Sequence, residues 1–484
     1  MKPEAPPGRG TGSAGAVAVA LTAPPVAAAA PARRGGKGMV LDERHLLRSV
    51  NGLAIPIIAE NLFQTLLGVV DLLMVSTLGA VAIAGVGSSL QIMFLIIAAL
   101  SSVTVGTTVL VARFTGAGQP EEASRAAKQS LLMGVVLAAV ITVLGHLFSH
   151  PVIALLGVEP DVAKAGGDYL DVVALTSVFL ITQLICGGAL RGAGDTRTPM
   201  VVTGVVNIVN IAVAYSLIFG HFGLPALGVI GSALGASVAR MIGALTLLTV
   251  LASGRRPVDL RGLAGWRPDV GLMKRVLRIG LPSMVEQTFM SGGMLLYSLI
   301  VIGMGTAVYA AQRITFNALS ISFMPGLGFG MAATTMTGQA LGAKRPDLAQ
   351  RSTWIAWRMA ALWMGTMGVA LFVFDEPIMR AFSDDPVIVA TGAAALRVIA
   401  LSQPLQALGQ VMAGSLRGAG DTRFPMLATG ISVWLTRLPF GWLFGVPLGW
   451  GLSGVYISNV MDAGVRAVAN YLRYRSGRWR TTRV

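Results

Sequence analysis

The segment Arg191-Gly-Ala-Gly-Asp-Thr-Arg-Thr-Pro-Met200 returns 226 residues later as Arg417-Gly-Ala-Gly-Asp-Thr-Arg-Phe-Pro-Met426, identical at nine of ten positions. The same offset pairs Pro56 with Pro282, Glu60 with Glu286, Gly79 with Gly305, Gly116 with Gly342, Pro120 with Pro346 and Pro151 with Pro377. A gapless offset over that distance marks two halves that are structural copies. Within each copy, Gly-Ala-Gly suits the end of one helix and Thr-Arg-x-Pro the start of the next. The arginines are expected to snorkel to headgroups, and Asp195 and Asp421 to cap the following helix or pair locally. On these residues alone the motif reads as a structural turn rather than a substrate contact.

Composition says where the copies reside. Of 484 residues 54% are hydrophobic, 60 more are glycine and only 12% are charged; the mean hydropathy is +0.71. A water-soluble chain of this size could not bury that much apolar surface, so an integral membrane protein is expected. One cysteine, Cys186, excludes a disulfide scaffold.

Apolar stretches long enough to span fall at 50–76, 83–112, 128–149, 165–190, 199–219 and 227–251, then at 276–302, 310–340, 353–374, 388–416, 425–446 and 452–472. The expected fold is therefore an all-α membrane protein of twelve helices in two six-helix lobes. The organisation expected is a disordered cytoplasmic tail (1–47), an N-terminal lobe (48–252), a cytoplasmic linker (253–275), a C-terminal lobe (276–474) and a basic cytoplasmic tail (475–484). The apolar run Ala14–Ala32 is broken by Pro24 and Pro25 and has no basic run directly ahead, so it reads as tail rather than signal peptide. Lys and Arg number 30 in the tails, the linker and alternate loops, against only Lys164 and Arg380 in the loops between. That bias puts both termini in the cytoplasm. Because six is even, both halves enter from one side, related by an axis along the membrane normal with a cavity between them.

The paired L-R-G-x-G-D-T-R motif resembles the multidrug and toxic compound extrusion (MATE) family, with prokaryotic members of its DinF-like branch looking closest. Val69-Val-Asp-Leu-Leu-Met-Val-Ser-Thr-Leu-Gly79 is similar to that family's first-helix signature. Ala310–Gly342, with Pro325-Gly326 and Gly338-Gln339-Ala340-Leu341-Gly342, is similar to its eighth. The likeness covers about 50 to 475.

Ionisable groups inside spans are costly and demand a role. Glu60, Gln64 and Asp71 lie at spacings of 4 and 7, along one helix face. Asp71 sits deep in an apolar run, where a carboxylate can take a proton from one side and release it to the other; a permanent helix–helix hydrogen bond is the alternative. The resemblance implies that Asp71 joins in proton or sodium coupling. It implies the same for Asn210, while the next ligand position of relatives is Ala214 here, which tilts the reading to protons. Asn207 could compensate, and Gln64, Ser232 and Ser237 complete the hydrogen bonding. In the second half Asp71 is matched by Tyr297, and Met290 stands where some branches carry an acid. Glu286, one turn earlier, and its partner Glu60 either meet a cationic substrate or are structural. A wall of Met290, Met294, Phe316, Phe323, Met324, Met331, Met336 and Trp434 suits promiscuous binding or plain packing.

The four histidines form no metal cluster, and no G-x-x-x-x-G-K-[ST] loop is present, so neither an enzyme nor an ATP-driven pump is expected. The expected function is a secondary antiporter exporting amphipathic or cationic organic compounds for protons, or less readily sodium, by alternating access. Its expected partners are small organic substrates and the lipid bilayer of the cell membrane, with no nucleic acid and no cofactor, and it is expected to act as a monomer. A lipid or polysaccharide-precursor flippase is the alternative, disfavoured by twelve spans and walls that are not strongly basic. A channel or sensor is third.

Overall fold

The computed structural model describes residues 45–482, so the tail expected over 1–47 lies outside the described residues up to residue 44. The first half comprises α1 (Leu46–Ser76), α2 (Ala80–Gly116), α3 (Pro120–Ala154), α4 (Pro160–Leu175), α5 (Ser177–Gly192), α6 (Arg197–Phe219) and α7 (Gly228–Ala252). The second comprises α8 (Val270–Ile302), α9 (Thr306–Gly342), α10 (Pro346–Val373), the short α11 (Asp375–Arg380), α12 (Pro386–Ala400), α13 (Gln403–Gly418), α14 (Arg423–Ile431), α15 (Leu438–Gly445) and α16 (Gly451–Arg475). Among the described residues, ten crossings are long and apolar enough to span when α4–α5 and α12–α13 each count as one bent crossing. The α14 helix, continued through a π turn into α15, completes the twelve together with α16. The fold is an all-helical membrane protein of two six-helix lobes.

The bends sit at repeat-equivalent places. The α4–α5 crossing turns by 56° at Thr176, and the α12–α13 crossing by 50° just before Gln403. At the first, the Thr176 hydroxyl donates back to the carbonyls of Val172 and Val173; at the second, Ser402 donates to Ile399. Such back-bonding occupies carbonyls that the bend would strand in lipid. The α14–α15 crossing carries a π-helical turn at Ser432–Arg437, just before Pro439. Proline has no N–H and crowds the preceding turn, so the helix widens there.

Each repeated motif closes its helix with a left-handed glycine, Gly194 at φ +90° and Gly420 at +84°. The next N–H, of Asp195 or Asp421, then reaches back 2.9 Å to Leu190 or Leu416. This is why the sequence repeats glycine there.

The first helix of each lobe packs into the other lobe. Val50, Leu53 and Ile57 of α1 join Phe329, Ala333 and Met336 of α9 in one core. Leu272, Val276 and Ile279 of α8 join Val109, Leu110 and Ile185 of the first lobe in another. The close contacts are made by glycine. A Cβ on Gly116 would lie 1.9 Å from the Gln339 carbonyl oxygen, one on Gly342 2.1 Å from that of Arg113, and one on Gly280 1.6 Å from that of Ser102. Helices in lipid associate through such small-residue contacts. All of these lie toward the end that carries the repeated motifs, where Leu46 also packs with Tyr474 and Trp479 near the two ends of the described chain. At the opposite end the surface of α1 opens: Leu66, Val69, Leu72 and Leu73 are exposed.

The segment between α7 and α8 is docked, not loose. Lys128 of α3 is buried, and its Nζ donates to the carbonyls of Arg261, Gly262 and Ala264 at 2.8, 3.2 and 2.8 Å. Gln129 adds donations to Gly265 and Arg267, both at 2.7 Å. Lys128→Met leaves three carbonyls without their donor, so trypsin is expected to cut at Arg261 about tenfold faster, as local opening becomes cheaper. An unchanged cleavage rate in limited proteolysis would show that the strap holds without the lysine.

Candidate functional site

Asp71 lies in the last third of α1, where α6 crosses it. Asn210 is buried and donates from Nδ2 to both carboxylate oxygens, at 2.9 and 3.1 Å. The charge of Arg240, on α7, acts on the same carboxylate. Three residues earlier on α6, Asn207 donates at 2.6 Å to the Phe63 carbonyl, clasping α6 to α1. The Oδ1 atoms of Asn207 and Asn210 are sealed from solvent and accept nothing. Buried acceptors of this kind call for an explanation, a bound cation among them. Gln64 is exposed on the open stretch of α1. Ser237 shares a hydrogen bond of 2.7 Å with Thr176 at the α4–α5 bend. Ala214 is fully buried against Gly235, leaving no oxygen at that position.

The equivalent place in the second lobe has other chemistry. Tyr297 is buried and donates to the Val455 carbonyl at 3.0 Å, with the Arg437 guanidinium 4.6 Å above its ring. Asp462 of α16 is fully buried, receives Ser432 Oγ, and pairs with Arg466 at 2.7 Å. Arg466 also approaches the Met290 sulfur, at 3.8 Å. The repeat offset matches Arg466 with Arg240. Thus an arginine common to both lobes pairs with Asp462 in one and acts through its charge on Asp71 in the other, with no ion pair there among the described residues.

The repeated motif is more than a turn. Arg191 pairs with Glu60 at 2.8 Å, and Arg417 pairs with Glu286 at 2.6 Å. Neither arginine snorkels to headgroups as expected; both turn inward, because each finds a carboxylate buried on the first helix of its lobe. Glu60 and Glu286, for which the sequence leaves a substrate contact and a structural role both open, each face an arginine. Thr429 adds a hydroxyl to Glu286 at 3.2 Å. Asp195 accepts from the Thr198 N–H and hydroxyl at the start of α6, as expected, and pairs with Arg256; Asp421 instead pairs with Arg473 of α16, far along the chain. Arg397 of α12 pairs with the buried Asp375 of α11.

The methionine and aromatic wall divides. Phe316, Met331 and Trp434 are exposed, and Trp434 meets Phe289 edge-on. Met336 is fully buried in the α1–α9 core and is packing. No group of three or more His, Cys, Asp or Glu that could hold a metal occurs among the described residues.

Known proteins fall in line with this architecture. The MatE family profile matches residues 56–216 and again 282–443, once per lobe. The chain is 33% identical over 428 residues to the probable multidrug resistance protein NorM of Thermotoga maritima, covering 88% of this chain and 92% of that one. It is 26% identical to the multidrug resistance protein MdtK of Yersinia pestis, covering 88% and 95%. Its fold matches a solved structure described as the outward-facing conformation of a multidrug resistance MATE family transporter, with TM-score 0.85, 24% identity and coverage of 93% and 100%. A twice-matched profile on a twofold-repeated helical fold identifies the chain as a member of the MATE family of multidrug efflux transporters.

Proposed function

We propose that this transporter exchanges protons for amphipathic, often cationic organic compounds, with Asp71 as the proton carrier. The observation that carries the reading is the Asp71–Asn210 contact in the open half of the first lobe, while the motif end is shut between the lobes. The basic end faces the cytoplasm of the cell membrane by the charge bias, so both termini are cytoplasmic and the described state is open outward. Asp71 takes a proton from outside, α1 and α6 repack around the altered Asn210 bond, and affinity for substrate falls. Coupling requires only that protonation and substrate binding disfavour each other. Asn207 and Gln64 support the ion site. Met290 and Tyr297 line the substrate path, with Glu286 and Glu60 setting the helices that form it. The transporter acts as a monomer, and Met290 where other branches carry an acid favours the DinF-like branch.

Sodium is the second reading, favoured by the two sealed amide oxygens of Asn207 and Asn210. The missing oxygen at Ala214 weighs against it. Adding ethidium to purified protein in weak buffer separates the two. Proton release on binding, independent of sodium and absent in Asp71→Asn, is the expected result. No release, with affinity that falls as sodium rises, would replace the proton by sodium.

The shut end supplies its own prediction. Gly116→Val places a side chain against the Gln339 backbone and cannot be relieved by a rotamer change. It is expected to raise the labelling of a cysteine placed at Ala112 from the cytoplasmic side about tenfold, by shifting the population between states. Equal labelling in both proteins would show that this contact does not hold the end closed.

A further inference from the structure

One buried cation of the second lobe has no carboxylate paired with it among the described residues. In the first lobe Glu60 pairs with Arg191, and the buried Lys128 is held by three backbone carbonyls. In the second, Glu286 pairs with Arg417, Asp462 with Arg466, Asp421 with Arg473 and Asp375 with Arg397. Arg437 remains. It is only 6% exposed, and its Nε is sealed from solvent with no acceptor. No carboxylate pairs with it among the described residues; its guanidinium lies over the ring of Tyr297, which Tyr456 meets edge-on. Asp462 is engaged instead by Ser432 and by Arg466. Arg437 ends the π-helical turn, the element whose extra residue re-aims side chains inside a helix. A guanidinium buried without an anion is costly in a span, and the tyrosine ring offsets only part of that.

The geometry points to an anion-binding site in the second lobe, with Arg437 as its charge and Tyr297 as the platform that holds the guanidinium flat. The ligand class is a monovalent anion: the carboxylate of an organic substrate, or chloride. The planar fork of arginine matches a carboxylate with two parallel hydrogen bonds, which favours the former. Assigning that carboxylate to the exported compound rests on the efflux reading above and extends it from cations to zwitterions and organic acids. The anion site itself does not depend on transport.

The test is equilibrium binding to the purified full chain with rhodamine B, a carboxylate, and its ethyl ester, which lacks one. Thermal melting is followed in parallel in chloride and in gluconate. Wild type is expected to prefer rhodamine B, and Arg437→Gln to lose that preference about tenfold while binding the ester as before. Melting that is raised by chloride in wild type but not in Arg437→Gln, with no preference between the dyes, supports the same site with chloride as occupant. An Arg437→Gln protein that matches wild type in both measurements overturns the proposal. Should that variant fail to fold, Arg437→Lys keeps the charge without the fork. Retained chloride sensitivity with a weakened dye preference then supports the site, and indifference to both anions overturns it. Neither readout uses an ion gradient, so a wild type that binds anions but moves no dye would defeat the efflux reading and leave this site standing.

Discussion

Asp71→Asn is expected to abolish gradient-driven dye export, by about a hundredfold or more, while leaving the protein folded and able to bind dye. Asparagine has nearly the shape of the carboxyl and can still meet Asn210 across the α1–α6 contact, so little packing is lost. What it cannot do is exist in two protonation states. A ligand shifts a conformational equilibrium only through a difference in affinity between the two states, and a group with one form supplies no such difference. Uncoupled, downhill movement of dye can persist in the variant. Export measured in proteoliposomes against melting temperature decides the point: a variant that exports at the wild-type rate shows that the proton travels elsewhere.

The second large effect is on stability. Glu286→Ala is expected to cost about 3–5 kcal/mol, because it strands the Arg417 guanidinium in the second lobe. Glu60→Ala is expected to cost at least as much by stranding Arg191, whose pair is the more deeply buried of the two. The exchanged pair Glu286→Arg with Arg417→Glu restores opposite charges and should recover roughly half of the loss in melting temperature, the rest being geometry. If instead Glu286→Ala melts like wild type and loses affinity for cationic dye, the glutamate belongs to the substrate and not to the helix contact.

How much of this could be read from the chain alone differs residue by residue. Asp71 stood out because an acid inside an apolar run has few reasons to be there, and Asn210 followed from its helical position and the family likeness. The twelve crossings were legible, although the helices extend past the apolar windows, as α8 does by starting at Val270 rather than 276. Their first turns lie among headgroups, where polar residues are at home. The bend at Thr176 gave no signal, since no proline marks it. The Glu–Arg pairs were hidden because their members lie on helices far apart in sequence, and an arginine near a span end reads equally well as a snorkelling one. Yet both pairs share one separation, 131 residues, and that regularity is the repeat itself. Arg437 lies inside the apolar stretch 425–446 that reads as a span. That no acid is left to meet it only emerges once Asp462 is seen bound to Arg466.

Dye movement in proteoliposomes, with a pH gradient and a sodium gradient imposed separately on wild type and Asp71→Asn, tests proton exchange through Asp71 most directly. The expected result is movement driven by the pH gradient alone and lost in the variant. Movement driven only by sodium, or a pH-driven flux that survives in Asp71→Asn, would contradict it.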